Sequence, residues 1–134
     1  MDPERLVDRY YAVVSDLDST AEALGALLHP ELRVVEHPNA LNPKGTVRDR
    51  DGVLAAFAAG KQLLSEQAFD VRELVADGDR VAVRAEWRGR LAVDAGPLAA
   101  GSELKAHIAS FVTVDDGLIR EHETFDCYEP LPGG

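Results

Sequence analysis

The residues whose types and spacing point to acid–base chemistry lie near the end of the chain, on either side of Asp116-Gly117. Asp-Gly between two runs of alternating hydrophobicity is a strong signal for a two-residue hairpin turn. With that turn, the register places His107 directly opposite Asp126 on the neighbouring strand. Directly opposed residues have Cβ atoms about 4.5–5.5 Å apart, close enough for an imidazole–carboxylate hydrogen bond. The spacing therefore predicts a catalytic pair, His107 and Asp126, that can move a proton near neutral pH.

Alternatives to a catalytic pair stay open for this hairpin. A turn longer by one residue would place Phe125 opposite His107 instead. The other face of the hairpin, which carries Ile108 and Phe125, is more apolar and is an equal candidate for packing inward. The two polar residues would also fit an ordinary cross-strand pair that satisfies buried groups or lies at a dimer interface, since structural pairs perturb pKa values too.

A second group of candidates borders a long polar loop. His37 and Asn39 flank Pro38 at the start of a segment, Pro38 to Asp51, that is rich in Pro, Asn, Gly and charge. Its length favours a functional rim or lid over a simple connection. We expect His37 or Asn39 to orient a substrate carbonyl or hydroxyl. The alternative is that both side chains only hold the loop through hydrogen bonds to its backbone.

The remaining candidates are ring side chains that would bind substrate as the wall of a pocket. Trp87 lies on the apolar side of its strand, Phe111 and His122 belong to the terminal hairpin, and Tyr11 belongs to the first helical segment. Core packing is the alternative role for Trp87 and Tyr11. We expect no metal site, because the four histidines are dispersed and no HExxH or paired-cysteine pattern is present.

Three helices are predicted to position these residues. Asp2 caps the first helix, and Ser19-Thr20-Ala21-Glu22 forms a capping box at the start of the second. Pro30 is expected to end the second helix. Apolar residues at helical spacing predict the third from about Asp51 to Glu66.

Five strands are predicted around the third helix. One short strand, Leu32–His37, precedes it, and four follow it at Phe69–Ala76, Arg80–Val93, Leu104–Val114 and Leu118–Tyr128. Apolar and polar residues alternate most clearly in the Arg80–Val93 strand, which indicates one wet face. Helices on one face of a curved antiparallel sheet make an α+β fold and leave a concave pocket. We expect a single domain over residues 1–134.

Composition limits the partners. The chain has 134 residues, a formal net charge of −10 and one cysteine, Cys127. The negative charge argues against nucleic acid and against an anionic membrane surface as the main partner. No apolar stretch approaches the roughly 20 residues that a membrane span needs. A lone cysteine fits a reducing compartment, and with no signal-peptide pattern at the N-terminus we expect a cytoplasmic protein.

Three local stretches and the order of the elements resemble a known family. The stretches are Glu36-His37-Pro38-Asn39, Asp116-Gly117-Leu118-Ile119 and Phe125-Asp126-Cys127-Tyr128-Glu129-Pro130. Together they are similar to the SnoaL-like (polyketide cyclase-like) branch of the NTF2-like superfamily. The resemblance implies a cone-shaped fold around a pocket, a homodimer, and neither metal nor organic cofactor. It also implies an acid–base residue in the pocket, and Asp126 lies near where such enzymes often carry an acid.

Two functions follow from the residues and the resemblance together. The first is an enzyme that isomerises, cyclises, hydrates or hydrolyses a small, largely apolar organic molecule by general acid–base catalysis. The second is a non-catalytic domain of the same fold that binds a small molecule or serves for dimerisation, since a pocket needs no tuned acid to bind. The presence or absence of ionisable groups converging inside the cavity distinguishes them.

Overall fold

The computed structural model describes residues 1–132, and within them three helices pack with one six-stranded sheet. In chain order the elements are α1 Pro3–Ser15, α2 Ala21–Gly25, β1 Leu28–Glu36, β2 Thr46–Arg48, α3 Arg50–Leu63, β3 Leu64–Asp77, β4 Arg80–Leu91, β5 Glu103–Asp115 and β6 Leu118–Tyr128. The strand order is β2-β1-β6-β5-β4-β3. The β1–β6 pair is parallel and the other four neighbouring pairs are antiparallel. The predicted α+β class is confirmed. None of the described helices is long and apolar enough to cross a membrane.

Side-chain caps start all three helices. The Asp2 carboxylate accepts a hydrogen bond from the backbone N–H of Arg5 at 2.8 Å, and Asp49 caps α3 in the same way. At α2 the cap is Thr20, one residue later than the predicted Ser19, and its hydroxyl accepts from the N–H of Ala23 at 3.0 Å. Each cap satisfies a backbone donor that has no partner within the helix.

The region between α2 and α3 is more extended than predicted. β1 begins at Leu28 rather than Leu32, so Pro30 lies inside a strand instead of ending a helix. Its pairing with β6 is interrupted between Leu28 and Arg33, and proline is tolerated there because no ladder hydrogen bond is required of it. The predicted loop contains a further short strand, β2, which pairs with the end of β1.

The core lies between the helices and the inner face of the sheet. The apolar residues of β4 that were predicted to face inward are buried. They pack with the buried side chains of α1, including Leu6 and Val7. Alternation along β4 and β5 therefore gives the sheet a buried inner face and a more exposed outer face.

The turn between β5 and β6 forms as predicted, but the register beyond it differs. Asp115 pairs with Leu118. Asp116 and Gly117 have φ values of 54° and 71°, which Asp-Gly turns accommodate. A β-bulge follows in β6, which inserts one extra residue between Ile119 and His122 relative to β5.

The bulge reverses the face of every later residue in β6. His107 pairs with Cys127, and Asp126 pairs with Ile108. Neighbours directly across an antiparallel pair share a face, so Asp126 faces inward with Ile108 and His107 faces outward. The predicted opposition of His107 and Asp126 is therefore wrong. The alternative partner Phe125 is also not opposite His107, because it pairs with Ala109.

Candidate active site

A cavity of ≈ 300 Å³ opens between the helices and the inner face of the sheet. This volume is at the lower end of small-molecule sites, so it suits a compact organic ligand. Most of its lining is aromatic or aliphatic: Tyr10, Tyr11, Val14, Leu17, Leu24, Val34, Val53, Ala56, Phe57, Leu64, Phe69, Trp87, Ala106, Ile108 and Tyr128. The polar lining is confined to Glu36, Arg48, Lys61, Gln67, His122, Thr124 and Asp126, apart from the tyrosine hydroxyls.

Asp126 is the acid of this cavity. Its Oδ1 accepts a hydrogen bond from the Thr124 hydroxyl at 2.7 Å, and Thr124 accepts one from the Ser110 hydroxyl at 3.0 Å. Burial raises the pKa of Asp126, the Thr124 hydrogen bond acts against that rise, and the charge of Glu36 adds to it. A carboxyl group with a raised pKa in an apolar cavity is suited to take up and return a proton.

Glu36 also reaches the cavity, but its oxygens are engaged. Its Oε1 accepts from Arg48 Nη1 at 3.3 Å, and its Oε2 accepts from the side-chain amides of Asn39 and Asn42 at 2.9 and 3.1 Å. Asn39 also holds the loop by accepting from the backbone N–H groups of Leu41 and Asn42. Glu36 thus joins the end of β1 to the loop that follows, and Asn39 has the loop-holding contacts that were the alternative to substrate binding.

Neutral ring side chains form part of the cavity lining. His122 is only 8% exposed, and burial lowers its pKa to about 4, so it is uncharged at neutral pH. Tyr10 meets it edge-on, with ring centroids 5.5 Å apart. Burial raises the pKa of Tyr11 to about 12. Within residues 1–132, neither His122 Nε2 nor the Tyr11 hydroxyl has a hydrogen-bond partner.

Trp87 forms part of the wall and is fixed by Gln67. The indole N–H donates to Gln67 Oε1 at 2.9 Å, and Gln67 Nε2 donates to the Val14 carbonyl at 2.6 Å. This clamp joins β4, β3 and α1. Gly89 leaves room for the indole, because a Cβ at that position would lie 2.5 Å from two of its ring atoms. The position of the Trp87 indole therefore depends on its hydrogen bond to Gln67 and on the missing side chain of Gly89, two residues further along β4.

The outer face of the sheet holds three of the predicted site residues. His107 has a side chain that is 53% exposed, and its Nε2 lies 2.8 Å from Glu129 Oε2. Phe111 is 45% exposed. His37 stacks on Phe125 with ring centroids 4.3 Å apart, and its Nε2 lies 2.8 Å from Glu123 Oε2. None of these residues lines the cavity.

The structure thus brings together four of the eight predicted site residues. Asp126, Trp87, His122 and Tyr11 line the cavity, whereas His107, His37, Asn39 and Phe111 do not. Sequence reasoning missed the contributions of Ser110, Thr124, Glu36 and Gln67. With the correct register, Ser110 lies opposite Thr124. The bulge that determines this register cannot be recognised from the types of the residues around it. Among residues 1–132, no three His, Cys, Asp or Glu side chains are grouped so as to hold a metal ion.

Comparison with protein families decides which group the chain belongs to. The model of the SnoaL-like domain matches residues 7–122. The chain belongs to the SnoaL-like domain family. The matched range contains most of α1, all of the β5–β6 bulge and most of the cavity lining. The resemblance inferred from the sequence is therefore confirmed. No curated protein matches the chain significantly.

This SnoaL-like chain is similar in fold to several solved structures. It is similar to IdmH of Streptomyces antibioticus, a proposed polyketide cyclase, with 27% identity, a TM-score of 0.77, and coverage of 94% of this chain and 92% of that one. A proposed SnoaL-like polyketide cyclase from a Jannaschia species has 18% identity and a TM-score of 0.75, covering 92% and 84%. An LEH-like epoxide hydrolase of M. tuberculosis has 14% identity and a TM-score of 0.70, covering 95% of this chain and 82% of that one. The last two likenesses concern the fold alone.

Proposed function

We propose that this protein is a SnoaL-type enzyme that acts on a small, largely apolar organic molecule by general acid–base catalysis, with Asp126 as the proton-transferring group. One observation carries the proposal. The Asp126 carboxyl group opens into a mostly apolar cavity of ≈ 300 Å³ with one oxygen bonded and a pKa raised by burial. A site that only binds apolar ligands gains nothing from such a group, since burying a carboxylate is costly.

The contacts favour Asp126 over Glu36 as the reacting carboxylate. Glu36 is paired with Arg48 and bonded by two asparagine side chains. No cation pairs with Asp126 within the described residues, and its Oδ2 has no hydrogen-bond partner there. A group whose oxygen is free and whose charge is not neutralised by a neighbour is available to a substrate proton.

The cavity lining supports reactions that need only proton transfer. Its walls are apolar and aromatic, and His122 and Tyr11 are neutral at pH 7. Removal of a proton next to a carbonyl, followed by isomerisation or cyclisation, suits one carboxylate in such surroundings, as does addition of water. The proposed cyclase activity of IdmH, at 27% identity, agrees with this class. The proposed chemistry needs no metal or organic cofactor.

Exchange of an activated hydrogen tests the proposal without knowledge of the natural substrate. 2-Tetralone is a compact bicyclic ketone whose hydrogens next to the carbonyl exchange with D₂O in the presence of a base. We expect the wild-type protein to accelerate this exchange, measured by proton NMR. Asp126→Asn keeps the shape of the side chain and removes the base, so it should reduce the acceleration by about 100-fold or more.

Asp116→Asn is the matched control, because it makes the same change in the exposed turn of the same hairpin. It should exchange 2-tetralone at the wild-type rate. If Asp126→Asn retains the wild-type acceleration, Asp126 is not the base. If the wild-type protein binds 2-tetralone but does not accelerate its exchange, the non-catalytic binding domain becomes the better account.

The homodimer implied by the family resemblance is part of the same proposal. Phe111 and Phe125 are 45% and 39% exposed on the outer face, with ring centroids 6.2 Å apart, and His37 stacks on Phe125. Exposed aromatic side chains of this kind are enriched at protein interfaces. Their exposure supports pairing of two copies through this face, with the cavities on the sides away from the contact.

A further inference from the structure

Two hydroxyl groups connect β5 to Asp126 through consecutive hydrogen bonds. The Ser110 hydroxyl donates to Thr124 Oγ1 at 3.0 Å, and the Thr124 hydroxyl donates to Asp126 Oδ1 at 2.7 Å. Ser110 is 1% exposed and lies directly opposite Thr124 in the ladder. The pair is therefore held by the sheet itself and not by a mobile loop.

Both donor protons point toward the carboxylate. Each hydroxyl has a single proton, so a serine that donates to Thr124 offers only lone pairs to its other side. The Tyr11 hydroxyl lies close to Ser110, although no hydrogen bond joins the two groups. Hydrogen bonds aligned in this way strengthen one another, and here both favour the charged form of Asp126.

We propose that Ser110 and Thr124 are positioning residues that fix Asp126 Oδ1 and leave Oδ2 as the atom that exchanges a proton with the substrate. The inference rests on the proposed function of Asp126. The hydroxyl pair occupies Oδ1 from within the sheet. Within residues 1–132, Oδ2 has no such partner, so the two oxygens of one carboxylate have different tasks.

Within residues 1–132, no other group of the site stabilises the charged carboxylate by a hydrogen bond. Among the residues that line the cavity, Arg48 is bonded to Glu36, while Lys61 donates to the Ser19 carbonyl and lies over the Phe57 ring. The titratable groups that face Asp126 from the elements packed around it are Tyr10 and Tyr11 of α1, Glu36 of β1 and Tyr128 of its own strand. The tyrosines are neutral and Glu36 is repulsive. The hydroxyl pair is thus the feature that keeps Asp126 available as a base.

Measuring the pKa of Asp126 tests the inference without any substrate. The ¹³C carboxyl resonance of Asp126 in the full-length protein is followed by NMR as a function of pH. Thr124→Val removes the bonded hydroxyl while keeping the shape, and we expect the pKa of Asp126 to rise by about 1 unit. Thr124→Ser retains the hydroxyl and should stay near the wild-type value. Ser110→Ala should raise the pKa by less, because it acts only through Thr124.

Thr113→Val is the control for removing a hydroxyl from the same hairpin, since Thr113 pairs with Glu121 and lies outside the cavity. It should leave the pKa of Asp126 unchanged. An unchanged pKa in Thr124→Val overturns the inference, as does an equal rise in Thr124→Ser. If Thr124→Val does not fold, Ser110→Ala decides, because no rise there contradicts the chain of hydrogen bonds.

Wild-type protein gives a check that requires no substitution. The Thr124 hydroxyl proton is protected by its hydrogen bond, and its resonance should titrate together with the Asp126 carboxyl group. A Thr124 proton that exchanges rapidly with water or ignores that titration contradicts the inference. These readouts are independent of catalysis. A raised pKa in Thr124→Val with no ketone exchange in wild type would retain the role of the hydroxyl pair in fixing Asp126 Oδ1, and would reject the proposed enzyme together with the proton exchange at Oδ2.

Discussion

His122 makes the stability of the fold depend on pH in a way that can be calculated. In the folded protein its pKa is lowered to about 4 by burial, whereas an unperturbed histidine titrates near pH 6.5. Below about pH 6.5 the unfolded chain therefore takes up a proton that the folded chain excludes. The contribution of His122 to stability is fully present above about pH 6.5 and is lost as the pH falls toward 4.

The size of this loss follows from the difference in pKa. Each unit corresponds to about 1.4 kcal/mol, so a difference of about 2.5 units corresponds to roughly 3 kcal/mol at the acid limit. About 2 kcal/mol of that should already be lost between pH 7.5 and pH 5. Over this range most exposed carboxylates remain charged, which limits their contribution to the measured slope.

Urea unfolding at a series of pH values measures the effect, with the fluorescence of Trp87, the one tryptophan of the chain, as the signal. His122→Phe keeps an aromatic ring against Tyr10 and removes the titrating group. We expect this variant to lose about 2 kcal/mol less than wild type between pH 7.5 and pH 5, whatever its absolute stability. His107→Gln, at an exposed position, should keep the wild-type loss. If His122→Phe is as acid-sensitive as wild type, the buried neutral histidine is refuted.

Two further predictions concern the cavity wall and the outer face. Gly89→Ala should lower the free energy of unfolding by about 1–3 kcal/mol and shift the fluorescence of Trp87, because a Cβ there collides with the indole. Gly60 lies in α3 and has nothing near a new Cβ, so Gly60→Ala should instead raise the free energy of unfolding by about 0.5–1 kcal/mol. Equal urea unfolding curves for the two variants would contradict the close packing of Gly89 against Trp87. Replacing Phe111 and Phe125 together by serine should convert a dimer to a monomer in light scattering, and a monomeric wild type would reject the dimer.

Much of the fold was predictable because local rules decide it. Asp2 and the Asp116-Gly117 turn have conformations that their residue types prefer, and β4 alternates as a half-buried strand must. The prediction that Pro30 ends the second helix was wrong. A proline usually ends a helix, but here the interrupted pairing of β1 with β6 accommodates it inside a strand. Tertiary pairing therefore overrode a local preference.

The candidate site was predictable only in part, because it depends on one inserted residue. Asp126 was identified from its type and from the family resemblance, and it does line the cavity. The prediction that His107 is its partner was wrong, because the bulge in β6 places the two residues on opposite faces of the sheet. A bulge is selected by the fit of the whole sheet over the core and leaves no short-range mark in the sequence. Ser110 and Thr124 became visible as neighbours only once that register was known.

The most direct test of the central claim is to locate a bound ligand. 2-Naphthol resembles the enol of 2-tetralone and contains no exchanging ketone. Its binding site can be mapped by NMR, because methyl groups near a bound aromatic ring shift their resonances. We predict that the methyl resonances of Val34, Val53 and Ile108, which line the cavity, shift on titration, while those of the exposed Val75 and Val93 stay in place. Shifts confined to the exposed valines, or none at all at millimolar 2-naphthol, would contradict the assignment of this cavity as the site.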